Sequence, residues 1–98
     1  MVTIKNVLWW LLANSLGGIN RGRILEELLN RPQNANELSK NLQLEYKTTR
    51  YHLQVLEENG IITSAGQGYG KTYFPSESLN ENIGYFREIW DKIGKKTN

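Results

Sequence analysis

The chain has 98 residues, 39% of them hydrophobic and 22% charged, with a formal net charge of +2. That length holds one core, and the composition is that of an ordered globular protein rather than a disordered tail. With no cysteine and one histidine, His52, the chain excludes disulfides, thiolate metal sites, cysteine nucleophiles and multi-histidine metal clusters within itself.

A first helix is expected over about residues 3 to 15, because Ile4, Val7, Leu8, Leu11 and Leu12 follow helical spacing. The apolar run 7–13 is far shorter than the roughly 20 residues of a membrane helix. With only Lys5 ahead of it and no small-residue cleavage site, it reads as amphipathic rather than as a signal peptide. No membrane association and a cytoplasmic location are therefore expected. Gly17-Gly18 breaks this helix, and Asn20 can cap a second, striped by Ile24, Leu25, Leu28 and Leu29 and ending near Arg31, before Pro32. Asn34 and Glu37 have the spacing of a capping box, opening a short helix that buries Leu38 and Leu42. A tight turn at 42–44 leads into a helix over about 45–59 with Leu53 and Leu56 buried, terminated by Gly60. The runs 61–64 and 71–74 flank the glycine-rich segment 65–70, a hairpin signature with a long loop. After Pro75, Ser76 or Ser78 can cap a last helix, over 76–95, in which Leu79, Ile83, Phe86, Trp90 and Ile93 keep heptad spacing. Lys92, Lys95 and Lys96 suit its C-terminal end.

Helices, a short turn, a helix and a hairpin in this order predict a mainly α fold with a small β-hairpin wing, a winged helix-turn-helix over 1–98 whose core spans 20–75 and whose wing spans 61–75. The second helix of such a turn enters the major groove of DNA. Between Tyr46 and Val55 it holds Lys47, Thr48, Arg50, Tyr51 and Gln54 and no acid, and Lys47, Arg50, Tyr51 and Gln54 share a face separate from Leu53 and Leu56. Lys47 lies in the first turn of its helix, and Arg21 and Arg23 are expected in the first turn of theirs. Bases there oppose the helix dipole unless a phosphate offsets the cost. Double-stranded DNA is thus the expected partner, with no cofactor, metal or catalytic residue.

The segment from Leu42 to Ile62, LQLEYKTTRYHLQVLEENGII, resembles the ArsR-type winged-helix family, particularly its archaeal members, and the similarity runs from about Asn20 to Phe74. The resemblance implies that the helix carrying Thr48, Arg50, Tyr51, His52 and Leu53 is the recognition helix. It implies base or phosphate contacts from Tyr46, Lys47, Arg50 and Tyr51, with Gln67, Tyr69 and Lys71 on a wing that reaches the minor groove or backbone. Repression of transcription is also implied. Glu45 departs from the Ser or Asp cap usual in the family. The Cys and His ligands of its metal-sensing members are absent, so metal-responsive derepression is not implied.

Residues 65–72 also fit a permissive phosphate-loop pattern, but such a loop must lead into a helix, whereas 72–75 reads as a strand stopped by proline. A winged-helix protein-interaction module and RNA binding are the other readings; the basic, acid-free 46–54 segment argues against the first and the lack of a stacking platform against the second. Trp9, Trp10, Tyr85, Phe86 and Trp90 could line an effector pocket, but an interface is the better expectation. A first helix apolar nearly all round and a last helix with a heptad seam predict a homodimer joined through Val7, Leu8, Trp9, Leu11, Leu12, Leu79, Ile83, Phe86, Trp90 and Ile93.

Overall fold

In the computed structural model, which describes residues 3–96, Thr3 opens helix α1 (Ile4–Ala13), its hydroxyl accepting the Asn6 N–H at 3.3 Å. Helix α2 (Gly18–Asn30) starts earlier than an Asn20 cap would place it, with Gly17 as its cap at φ +82°. The glycine pair is the reason. Gly17 takes a left-handed conformation, and a Cβ at Gly18 would overlap the Leu12 carbonyl, so only glycine closes so tight a corner.

A two-residue strand, β1 (Gln33–Asn34), precedes helix α3 (Ala35–Leu42). The capping box forms as its spacing predicts: Asn34 Oδ1 accepts the Glu37 N–H at 2.8 Å, and Glu37 Oε1 accepts the Asn34 N–H at 3.0 Å. Gln43, at φ +57°, ends α3. Helix α4 (Tyr46–Glu58) follows, and Gly60 at φ +74° lets the chain turn away from it.

Strands β2 (Ile62–Ala65) and β3 (Thr72–Pro75) form the predicted hairpin, with Ile62 opposite Pro75 and Ala65 opposite Thr72. The loop between them carries a 3₁₀ turn at Gly68–Gly70. The sheet has a third member absent from the sequence reading: β1 pairs antiparallel with β3, Gln33 opposite Tyr73, giving the order β1-β3-β2. Gln33 is fully buried there, and its side-chain amide donates to the Glu27 and Arg31 carbonyls and accepts from Asn41 Nδ2.

The expected C-terminal helix is two helices, α5 (Glu77–Glu81), capped by Ser76, and α6 (Ile83–Lys96). At Asn82 the backbone leaves helical geometry, its N–H donating to the Leu79 carbonyl and its side-chain amide to the Ser78 carbonyl. Lys92 lies 3.9 Å from Glu88, whereas the side chains of Lys95 and Lys96 lie outside the described residues. α1 packs on both α2 and α6. This changes the expected subunit seam. Leu8, Leu11, Leu12, Leu79 and Phe86 are buried within a single chain, in a core they share with Ile24, Leu25, Leu28, Leu38, Leu53, Leu56 and Ile61. They are therefore not a surface left open for a partner. Trp90 is also engaged internally: its ring stacks on Phe86, covers Gly22, and its indole N–H donates to Glu26 at 3.1 Å. Val7 and Ile93 are half-buried against the same core, Ile83 is half-buried, and Trp9 is exposed.

Candidate nucleic-acid interface

Helix α4 divides its residues by face. Thr49, His52, Leu53 and Leu56 are buried, while Lys47, Arg50, Tyr51 and Gln54 are exposed. At its start Glu45 occupies the cap position without a side-chain hydrogen bond to the helix. Thr49 is anchored instead, its hydroxyl donating to the Glu45 carbonyl at 2.9 Å. α3 packs on α4, the two helices being joined by the left-handed Gln43 turn.

Opposite the exposed face of α4 stands the hairpin, and between them lies an open cleft of about 430 Å³ lined by Lys47, Arg50, Tyr51, Gln54, Glu57, Lys71 and Tyr73. The Tyr69 ring of the loop lies 6.3 Å from that of Tyr46. Arg50 sits over the Tyr46 ring and donates to its hydroxyl at 3.1 Å, which holds the guanidinium above its ordinary pKa. Tyr51 and Tyr69 are 60% and 83% exposed. Gln67 is exposed and Thr48 half-buried. Glu57 joins helix to hairpin: Ser64 donates to its Oε2 at 2.6 Å, and Lys71 Nζ lies 3.6 Å from its Oε1. The structure thus brings together Tyr46, Lys47, Arg50, Tyr51, Gln54, Tyr69 and Lys71, drawn from α4 and the hairpin.

Arg21 and Arg23 do not join this set. Because α2 begins at Gly18, both lie beyond its first residues, and both point into the protein. Arg21 is 3% exposed and donates to the Leu11 carbonyl at 3.0 Å, the Leu16 carbonyl at 2.8 Å, Ser15 Oγ at 2.6 Å and His52 Nδ1 at 3.3 Å. Arg23 is half-buried and donates to the Leu42 carbonyl at 2.7 Å, where a cation suits the C-terminal end of α3. A buried arginine needs acceptors more than a phosphate, and the α1–α2 corner supplies them. The sequence places His52 among the basic residues of the recognition helix, but the structure buries it away from the exposed face. A guanidinium can only donate, so the imidazole must accept at Nδ1 and carry its proton on Nε2. Burial, and then the charge of Arg21, hold its pKa below the ordinary value. The place of His52 beside Leu53 on the apolar side of α4 was the available signal.

Among the described residues no three His, Cys, Asp or Glu side chains converge as metal ligands would. The segment that fits a phosphate loop leads into strand β3, not into a helix.

Helix-turn-helix followed by a hairpin packed beside the second helix is a winged helix-turn-helix. Residues 20–64 match the family described as bacterial regulatory protein, arsR family, and the chain has the winged helix-turn-helix fold. It is 38% identical over 56 residues to an uncharacterized HTH-type transcriptional regulator of Methanocaldococcus jannaschii, a match covering 57% of this chain; the chain thus spans 14% of that relative's length. Its fold is similar to that of the reduced transcriptional regulator YodB of B. subtilis, with TM-score 0.68 at 20% identity over 92% of this chain and 91% of that one. It is also similar to the transcriptional regulator HlyU of Vibrio vulnificus, with TM-score 0.65 at 23% identity over 88% of each chain. The family and these relatives are transcriptional regulators, not enzymes.

Proposed function

We propose that the chain binds duplex DNA as a homodimeric transcriptional regulator, a repressor in the cytoplasm, with α4 in the major groove. The observation that carries this reading is the exposed face of α4, basic and without an acid from Tyr46 to Val55, set across an open cleft from a hairpin that bears Lys71. Lys47, Arg50, Tyr51 and Gln54 face bases or phosphates, Tyr46 and Thr48 border them at the start of the helix, and Gln67, Tyr69 and Lys71 meet the backbone or minor groove from the wing. Arg50 is the residue best placed to read a guanine edge, since the Tyr46 hydroxyl and ring hold its planar fork at the helix surface. Two such helices related by a two-fold axis would read half-sites about one helical turn apart.

Fluorescence anisotropy with a mixed pool of duplexes across a salt series tests this. Wild type should bind with affinity falling steeply as salt rises, and Arg50→Ala should flatten the slope by about one unit if Arg50 meets a phosphate. A weakened affinity with the slope retained would assign Arg50 to a base. Failure of wild type to bind at low salt would reject DNA as the partner of the free protein and favour a protein-interaction module.

A further inference from the structure

Glu57 is the one acid lining the cleft, and a carboxylate facing an approaching polyanion opposes binding. If it served only to fasten the hairpin, a neutral acceptor would hold the Ser64 hydroxyl without that repulsion. Its second contact gives the charge a use. Lys71 Nζ is placed between Glu57 Oε1, at 3.6 Å, and the face of the buried Tyr73 ring, 5.6 Å from its centroid. The side chains of the pair are 35% and 34% exposed, so solvent screens them less than it screens a pair at the open surface. The ammonium lines the cleft already paired with a carboxylate.

We propose that Glu57 is a specificity-determining residue that withholds Lys71 from a duplex offering backbone alone and yields it to one whose bases engage α4. This rests on the DNA-binding reading above. A duplex entering the cleft must take Lys71 from Glu57 and leave the carboxylate facing phosphate. Sequence-independent contacts are thereby weakened, and a duplex whose bases engage Lys47, Arg50 or Gln54 is favoured over one that offers backbone alone.

Glu57→Gln tests it on random-sequence duplex, because glutamine keeps an acceptor oxygen for Ser64 while removing the charge. Freeing one cation for one phosphate steepens the salt slope by about 0.9, which at 0.1 M salt tightens binding about eightfold relative to a 1 M reference. Glu57→Gln should show that gain, and Glu57→Gln combined with Lys71→Ala should lose it. Ser64→Ala, which loosens the hairpin but leaves the carboxylate, should keep the wild-type slope. A gain that survives without Lys71, or one that Ser64→Ala reproduces, overturns the proposal in favour of simple repulsion or of wing loosening. Wild type that binds while Glu57→Gln merely equals it or binds more weakly overturns the proposal alone. Wild type unbound at the lowest salt overturns the DNA-binding reading, and this proposal with it.

Discussion

Arg21 carries a charge into the interior, where its acceptors are two carbonyls, a hydroxyl and a neutral imidazole. No carboxylate is among them, so a proton on His52 would set two cations against each other across 3.3 Å. The unfolded imidazole titrates near 6.5 and the folded one lower, so between those points the unfolded chain binds more protons. Stability from this pair is therefore complete above pH 6.5 and is lost as the pH falls below it, until the folded ring also charges. Urea unfolding midpoints should fall between about pH 7.5 and about pH 5.5. His52→Gln, which offers an oxygen to Arg21 and has nothing to titrate there, should flatten that fall; equal pH dependence in both proteins would refute the account. The sequence marks Arg21 as basic and close to a helix start. It does not reveal that the Leu11 and Leu16 carbonyls turn toward the same point, because that depends on the angle of the Gly17-Gly18 corner.

Elements with strong local signals were legible. The capping box of α3, the glycine that ends α4 and the existence of the hairpin each follow from local residue patterns. β1 was not legible: two residues have no period, and their strand geometry comes from pairing with β3, far along the chain. The break at Asn82 was hidden for the opposite reason, since the heptad spacing of Leu79, Ile83 and Phe86 continues through it. Glu45 is an unusual cap residue, and its side chain makes no cap bond. Serine in its place could accept an N–H from the first turn of α4. Glu45→Ser should raise unfolding stability by about 1 kcal/mol, measured by denaturant titration at constant m; a loss of stability would show that the glutamate serves the turn in another way.

At the scale of the molecule, the apolar period of α1 and α6 told correctly that their faces are buried, but not against what. The two helices cover each other, which consumes Leu8, Leu11, Leu12 and Phe86 inside one chain. Of the expected interface residues Trp9 stays exposed, and Trp10 at 54%, Leu16 at 97% and Tyr85 are exposed as well. Exposed tryptophans are candidates for the surface that the proposed homodimer would bury. Wild type should sediment as a dimer at micromolar concentration, and Trp10→Glu should shift it to monomer with a cooperative loss of DNA affinity. A wild type that sediments as monomer would remove the homodimer from the proposal.

The short third strand has a consequence for how copies meet. With β3 in the middle, the sheet ends on one side at a strand of two residues and on the other at a strand of four. An open edge is a template for the backbone of another chain, and its hold grows with the length of the unpaired ladder. Here both edges are short, so the sheet offers little unpaired ladder for the fibril-forming addition of strand to strand.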